Sequence, residues 1–293
     1  MIIGVASGKG GTGKTTVATS LALSIADKAP LFLDCDVEEP NAALFLKPAL
    51  TYHEQVGILI PEVDWSKCTF CARCAQVCTW HAIAVVRQKL LIFPELCHGC
   101  GSCTLACPER AIHEVLHVMG SLESGMAGSI TFGHGILSVG QAMAVPVIRQ
   151  LKKKHLDRAS AGTERQSASA GVAILDAPPG TSCPVVETMR GADFVLLVTE
   201  PTPFGLHDLR LAVRVARDEL GLPVGVVVNR DGVGDAGVDE YCAFEGLPIL
   251  MRIPHDRRIA QAISEGKTLV EALPEYRPGF IELYRRIVQE AAR

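Results

Sequence analysis

Residues 8–15 read Gly-Lys-Gly-Gly-Thr-Gly-Lys-Thr. This stretch fits the pattern G-x-x-x-x-G-K-[ST], in which a glycine-rich backbone turns its N–H groups inward around phosphate oxygens. Residues 1–6 are an apolar, β-branched run that predicts a buried strand, and residues 15–25 predict the helix that such a loop begins. We expect Lys14 to reach the β- and γ-phosphates and the Thr15 hydroxyl to bind Mg²⁺. The predicted nucleotide loop comprises Gly8, Lys9, Gly10, Gly11, Thr12, Gly13, Lys14, Thr15 and Thr16.

The length, composition and net charge of the chain limit the classes of protein to which it can belong. The chain has 293 residues, of which 48% are hydrophobic and 20% charged, and this length favours about two globular domains. No apolar run reaches the roughly 18 residues of a transmembrane helix, and the chain begins directly with the predicted strand, without a secretory signal. A net charge of −4 gives no general affinity for nucleic acid. We therefore predict a cytoplasmic protein with no integral membrane segment and no nucleic-acid partner.

Eight of the 11 cysteines form a repeated pattern. Each set has the spacing C-x2-C-x2-C-x3-C, and every cysteine of the second set lies 29 residues after its counterpart. The residues at 81–85 are mirrored at 110–114, so the segment is an internal duplication. Because the cytosol keeps thiols reduced, we interpret these cysteines as metal ligands rather than disulfides. The first set is Cys68, Cys71, Cys74 and Cys78, and the second is Cys97, Cys100, Cys103 and Cys107.

The duplicated pattern resembles bacterial two-cluster ferredoxins, in which the fourth cysteine of each run ligates the other cluster. That resemblance implies one 4Fe–4S cluster on Cys68, Cys71, Cys74 and Cys107. It implies a second on Cys97, Cys100, Cys103 and Cys78. Thr79 stands where the resemblance expects proline, which changes the turn but removes no ligand. Zinc is the alternative, because C-x2-C pairs also suit a tetrahedral ion, but three close cysteines plus a distant fourth, twice over, favour clusters.

Lys9 is a second lysine inside the nucleotide loop. With it, the loop resembles the deviant P-loop of the MinD/ParA/Mrp and nitrogenase iron-protein group. The resemblance implies an ATP-dependent dimer in which Lys9 reaches the nucleotide of the partner, either a second copy or a related ATPase. The alternative is a solvated lysine at a loop tip, which is common for an isolated lysine.

A second buried strand is predicted at residues 31–36, ending in two aspartates. Carboxylates at the carboxyl end of a parallel strand lie where ligands bind in open α/β sheets. The segment resembles the first switch of the same family. This implies that Asp36 positions the attacking water, Asp34 lies near Mg²⁺ and Asn41 contacts nucleotide. The alternative is that the aspartates cap a turn or helix.

Three later segments add to the predicted site. Residues 172–176 predict a strand ending in Asp176, whose carboxylate would hold a Mg²⁺-bound water. The family resemblance implies that Asn229, with Arg230 beside it, recognises adenine, although an asparagine in a turn is the alternative. It also implies that Pro254 and Asp256 belong to a loop that wraps the base. Cys183 resembles a cluster-ligand position of nitrogenase iron protein, but the second cysteine of such a site is absent, so we interpret Cys183 as a buried or hinge thiol.

Alternating strands and helices predict an α/β fold with a parallel sheet covered by helices on both faces. Residues 1–60 and 116–293 are predicted to form one P-loop ATPase domain, with residues 61–115 inserted as a small α+β ferredoxin-like domain. Residues 157–170 predict a low-complexity surface loop, and residues 279–293 an amphipathic helix that docks on the core.

The predicted function is ATP binding and hydrolysis with Mg²⁺, coupled to electron transfer by two 4Fe–4S clusters between a protein donor and acceptor. Two alternatives remain open. One is an iron–sulfur cluster carrier of the Mrp type. The other is a positioning switch like MinD or ParA, with clusters that sense redox state or stabilise the fold.

Overall fold

The computed structural model describes residues 1–156 and 171–293, so the surface loop predicted at 157–170 lies outside the described residues. Within the described ranges the chain forms eleven strands and eleven α-helices. The strands are β1 Ile2–Ala6, β2 Leu31–Asp34, β3 Ala49–Val63, β4 Ile83–Val86, β5 Lys89–Ile92, β6 Ile112–Ala127, β7 Ile130–Leu137, β8 Ala173–Asp176, β9 Phe194–Thr199, β10 Val224–Asp231 and β11 Ile249–Pro254. The helices are α1 Lys14–Ser24, α2 Ala42–Leu46, α3 Arg73–Val77, α4 Ser102–Ala106, α5 Val145–Leu156, α6 Cys183–Met189, α7 Pro203–Val213, α8 Gly237–Glu245, α9 Arg257–Ser264, α10 Leu269–Ala272 and α11 Arg277–Ala291.

A nine-stranded sheet organises the fold, in the order β11-β10-β9-β1-β8-β2-β7-β6-β3. All pairs from β11 to β7 are parallel, whereas β6 and β3 join antiparallel at one edge. Strands β2, β8 and β9 are buried along their whole length, as expected for parallel strands covered on both faces. The predicted α/β class with a parallel sheet is confirmed.

Helices cover both faces of this sheet. Helices α1, α10 and α11 pack on one face, in a core that includes Ile3 and Phe32. Helices α5 to α8 cover the other face, in two cores that include Leu197 and Leu33. The C-terminal helix α11 docks as predicted, with Phe280, Leu283 and Ile287 buried in the core that it shares with α1.

None of the helices in the described ranges is both long enough and apolar enough to cross a membrane.

Strands β3 and β6 are the longest in the sheet and extend beyond it. They pair from Ala49 opposite Met126 to Val63 opposite Ile112, but β6 pairs with β7 only from Gly120 onward. Residues 57–63 and 112–118 therefore form a two-stranded ribbon outside the sheet. Gly120 pairs with Leu137, which lies at the carboxyl end of β7, so the ribbon leaves from the carboxyl edge of the parallel strands.

The ribbon carries the cysteine module, which we define as residues 61–115. The predicted domain boundaries at 60/61 and 115/116 fall inside β3 and β6, because both strands run without a break from the sheet into the module.

The backbone of the module repeats the sequence duplication. The hairpin β4–β5 pairs Ile83 with Ile92, and the ribbon tip pairs Ile112 with Val63. Ile112 lies 29 residues after Ile83, and Ile92 lies 29 residues after Val63. Helix α4 likewise begins 29 residues after α3. Left-handed backbone recurs at the same spacing, at Phe70 and Gly99, Ala72 and Gly101, and His81 and Arg110. The two halves of the module therefore have the same local fold.

Candidate ATP site and cysteine module

The glycine-rich loop joins β1 to α1 at the carboxyl edge of the sheet. Gly11 and Gly13 have φ angles of 78° and 90°, a left-handed conformation that glycine adopts without steric cost. A side chain at Gly13 would also clash with the Asn229 amide, which donates a hydrogen bond from Nδ2 to the Thr12 carbonyl at 2.7 Å. The loop therefore places its backbone N–H groups at the start of α1, the position that favours a bound anion.

Lys14 is the first residue of α1, and its Nζ lies 3.1 Å from Oδ1 of Asp176. Burial alone lowers the pKa of Lys14. The negative charge of Asp176, followed by that of Asp36 and Asp34, outweighs this effect and raises the pKa. The ammonium is therefore charged and is held beside the carboxylates at this edge of the sheet.

Asp34 and Asp176 end the neighbouring strands β2 and β8, in register with each other, and both are fully buried. Asp34 accepts hydrogen bonds from the backbone N–H groups of Ala42 and Asp36, at 2.9 and 3.1 Å. Burial and then the charge of Asp176 raise the pKa of Asp34 to about 8. Oδ2 of Asp176 has no hydrogen-bond partner among the described residues. A divalent cation beside Thr15 would supply the missing positive charge, so these residues fit Mg²⁺.

Asp36 lies just beyond β2 and is partly exposed. Burial raises its pKa to about 6, against the opposing charge of Lys14. The carboxyl is therefore mostly ionised at neutral pH and can accept a hydrogen bond from a water molecule.

Five residues were expected to contact the nucleotide, and the structure brings two of them into contact with the glycine-rich loop. Asn229 contacts Thr12, and Arg230 donates to the Gly11 carbonyl at 3.4 Å. The other three make no hydrogen bond to the loop among the described residues. Asn41 precedes α2 without a side-chain cap, Pro254 pairs with Asp231 on β10, and Asp256 caps α9 through the Arg258 N–H.

Glu200 joins this site although sequence reasoning did not single it out. It follows β9 and is 7% exposed. One carboxylate oxygen lies 2.7 Å from Arg230 and the other 3.6 Å from Nζ of Lys9. The available signal was an acidic residue directly after a buried strand, the same signal that identified Asp34 and Asp176.

The eight repeated cysteines surround two solvent-open cavities. The first is lined by Cys68, Cys71, Cys74 and Cys107. The second is lined by Cys78, Cys97, Cys100 and Cys103. Each cavity thus takes three cysteines from one half of the duplication and the fourth from the other half, which is the grouping that the ferredoxin resemblance implies.

The crossing cysteines have equivalent surroundings. The backbone N–H of Ala82 donates to Sγ of Cys78 at 3.2 Å, and that of Ala111 donates to Sγ of Cys107 at 3.3 Å. Such bonds stabilise negative charge on sulfur, which suits a metal-bound thiolate. Burial raises the pKa of three other thiols, so that their ionisation calls for a nearby cation; these are Cys74, Cys97 and Cys103.

Across residues 1–156 and 171–293, no group of three or more His, Cys, Asp or Glu side chains is arranged to hold a single metal ion. The cysteine thiols that line each cavity are of the kind that ligate 4Fe–4S clusters. Cys183 lies outside both cavities and is exposed at the start of α6, so it is not a buried thiol, and its role as a hinge thiol stays a prediction.

A strand, a glycine-rich loop and a helix, with carboxylates on two adjacent strands facing the loop lysine, define a P-loop nucleoside triphosphatase. Residues 3–270 match the family model of the CobQ/CobB/MinD/ParA nucleotide binding domain. The chain belongs to this family and is a P-loop ATPase.

The chain is also similar to individual proteins. An uncharacterized protein of Methanocaldococcus jannaschii, MJ0579, is 29% identical over 287 residues, which span 92% of each chain. The cell division ATPase MinD of Pyrococcus furiosus is similar in structure, with a TM-score of 0.56 and 20% identity over 98% of each chain, a likeness that shows the fold. The cytosolic Fe-S cluster assembly factor NUBP2 homolog of Trichoplax adhaerens is 28% identical over 120 residues, covering 35% of this chain and 45% of that protein.

Proposed function

We propose that the chain is an ATP-dependent electron-transfer protein. Two copies, or one copy and a related ATPase, would associate around ATP–Mg²⁺, and the nucleotide state would control electron transfer through two 4Fe–4S clusters in the cysteine module to a protein partner. One observation carries the proposal. The eight cysteines line two cavities, four to each, on a ribbon that rises from the same edge of the sheet as the ATP site.

The chain's own residues supply the chemistry of hydrolysis. Lys14 would neutralise charge on the γ-phosphate, to which it can turn from Asp176. Thr15, Asp34 and Asp176 would hold Mg²⁺, and the ionised Asp36 would orient the attacking water. Lys9 would cross to the nucleotide of the partner subunit, as the family resemblance implies.

The cysteine module would hold its clusters permanently. All eight ligands belong to one folded segment, and the backbone N–H groups of Ala82 and Ala111 orient the two crossing sulfurs. When bound, the clusters would supply one-electron transfer. Residues 61–115 would thus form a redox unit inserted between the two parts of the ATPase domain, 1–60 and 116–293.

The test is an iron and sulfide count on the chain reconstituted without oxygen. We expect about eight irons and about eight sulfides per chain, the content of two 4Fe–4S clusters. Cys74→Ser should remove about half of both, because Cys74 lines only the first cavity. Cys242→Ser is the matched control, since Cys242 is also buried but lies in the α8 core, and it should keep the full content. Zinc without sulfide, or full iron in Cys74→Ser, would contradict the proposal.

A cluster carrier is the second candidate, favoured by the similarity to the NUBP2 homolog named above. A carrier should lose its clusters to an apoprotein when ATP is added, and a resident redox unit should keep them. Incubation with an excess of apo-ferredoxin, followed by separation and iron counts, distinguishes the two functions.

A further inference from the structure

Glu200 forms two ion pairs at the carboxyl edge of the sheet. Lys9 comes from the nucleotide loop, and Arg230 lies on β10, next to the residues that pair with the end of β9. The backbone of Glu200 is fixed independently, because its carbonyl accepts a hydrogen bond from Thr202, the residue that caps α7. The Lys9 carbonyl likewise accepts a hydrogen bond, from the Ser7 hydroxyl. The two residues differ in their side chains, because that of Glu200 is buried whereas that of Lys9 is long and one third exposed.

The two ion pairs differ in geometry. Arg230 lies 2.7 Å from one oxygen of Glu200, whereas Lys9 lies 3.6 Å from the other, with a third of its side chain exposed. If Lys9 departs, the buried carboxylate keeps Arg230 as its counter-ion. Leaving a buried charge unpaired is costly, and Arg230 removes that cost from the release of Lys9.

We propose that Glu200 is a positioning residue for Lys9. It holds this lysine within its own subunit until a second subunit with ATP competes for it, and it thereby sets how readily two copies associate. The proposal rests on the crossing role of Lys9 in the proposed function. Breaking one partly exposed ion pair of this kind weakens dimer association by up to about five-fold. A dimer that breaks two such pairs, one in each subunit, is therefore weakened by up to about 25-fold.

The test is sedimentation velocity with a non-hydrolysable ATP analogue and Mg²⁺. Glu200→Gln keeps the size of the side chain but removes its charge, and it should lower the dimer dissociation constant up to about 25-fold. Glu200→Asp, which retains the charge, should associate more like the wild type. The double variant Lys9→Ala/Glu200→Gln should show no nucleotide-dependent association.

Two results would overturn the proposal. The first is that Glu200→Gln dimerises no more tightly than the wild type. The second is that Glu200→Gln lowers ATP affinity and melting temperature without tightening the dimer, which would indicate a purely structural role for Glu200. Association of Lys9→Ala alone at wild-type strength is a different failure. It would refute the crossing role of Lys9 in the proposed function, and this proposal with it.

A separate set of contacts links the ATP site to the ribbon. The carbonyl of Val37, the residue after Asp36, accepts a hydrogen bond from the Leu137 N–H at 2.8 Å. The next N–H, that of Ser138, donates to the Met119 carbonyl on β6 at 2.8 Å. Two hydrogen bonds and the link between Leu137 and Ser138 thus connect Val37, the neighbour of Asp36, to the strand that enters the cysteine module.

Met119 occupies the point where the ribbon leaves the sheet. Val56 pairs with Gly120 and Gly57 with Val118, so Met119 is an extra residue in β6 and forms a β-bulge. Its side chain is buried in the core that also contains Val37. Bulges bend and twist the strand that carries them, so the direction of the ribbon is set here.

We further propose that this backbone connection transmits the nucleotide state to the cysteine module. A shift of residues 36–37 on loss of the γ-phosphate would move the Leu137 and Ser138 N–H groups, and the bulge would reorient the ribbon. This inference names the route of the coupling in the proposed function and rests on that function. A route requires an element with two arrangements that the nucleotide can bias, which the bulge would supply.

Hydrogen–deuterium exchange on the full chain tests this route, with ATP analogue and ADP compared. Exchange in residues 112–119 should differ between nucleotides by about five-fold or more in the wild type. Ser138→Pro removes the N–H that bonds Met119, and should abolish this difference while the response of residues 34–42 remains. Ser138→Ala keeps the N–H and should behave as the wild type.

In the wild type, exchange in residues 34–42 could change with the nucleotide while exchange in residues 112–119 does not. This result would overturn the route even if Ser138→Pro does not fold. A ribbon that still responds in Ser138→Pro would also overturn it. If neither segment responds to nucleotide, the coupling in the proposed function itself fails.

Discussion

Asp34→Asn should stabilise the nucleotide-free chain at high pH, although it removes a residue expected to hold Mg²⁺. Burial, followed by the charge of Asp176, raises the pKa of Asp34 from 3.8 to about 8. Folding therefore favours the protonated carboxyl. The stability that this contributes is complete below about pH 4 and is lost as the pH rises towards 8.

The size of the effect follows from the raised pKa of Asp34. Between pH 5 and pH 8 the wild-type chain should lose about 3 to 4 kcal/mol of folding free energy through this group, because a tenfold change in proton affinity corresponds to about 1.4 kcal/mol. Asparagine does not titrate, but it replaces one acceptor oxygen that now binds the Ala42 N–H, at a pH-independent cost of about 1 to 3 kcal/mol. The folding stability of Asp34→Asn should therefore equal or fall below that of the wild type at pH 5 and exceed it at pH 8.

Thermal unfolding without nucleotide measures this difference. At about 2 °C per kcal/mol for a chain of this size, the melting temperature of Asp34→Asn relative to wild type should rise by about 7 °C from pH 5 to pH 8. Mg²⁺–ADP should reverse the order at pH 8, because the cation stabilises the ionised carboxylate of the wild type. A melting difference that is the same at both pH values would refute the reasoning about the buried carboxylates.

Three further predictions concern hydrolysis and the core. Lys14→Ala should abolish ATP hydrolysis, measured as phosphate release, because it removes the cation held at the carboxylates; unchanged turnover would refute the site. Since burial raises the pKa of Asp36 to about 6, turnover should fall as the pH drops through 6 and Asp36 becomes protonated. An acid limb near pH 4 would contradict the raised pKa of Asp36. Leu283→Ala should cost about 2 to 5 kcal/mol in chemical denaturation, because Leu283 is 1% exposed in the core. Val288→Ala, on the exposed side of the same helix, is the control and should change stability by less than about 1 kcal/mol.

The parts of the fold that depend on local spacing were predictable. The nucleotide loop needs glycines at fixed positions between a strand and a helix, and the structure has β1 and α1 on either side of it. Buried parallel strands are continuous apolar runs, so the strands that end in Asp34, Asp176 and Thr199 were visible in the sequence. The repeat of 29 residues predicted a duplicated segment, and the paired registers of β4–β5 and the ribbon reproduce it.

Features that depend on pairing between distant segments were not predictable. The sequence change near residue 61 suggested a domain boundary, whereas β3 continues through it because β6 supplies its hydrogen bonds along the whole length. Strand pairing of this kind reflects partners far apart in sequence rather than local propensity. The ion pairs of Glu200 likewise join three segments that only the folded sheet brings together.

The central claim is that the ATP site and the cysteine module act on each other. An EPR redox titration of the iron-reconstituted chain, without oxygen and with or without ATP–Mg²⁺, tests it most directly. We expect signals from two 4Fe–4S clusters whose midpoint potentials or spin coupling shift when nucleotide binds. Clusters that are present but keep the same potentials and coupling in both states would contradict the claim.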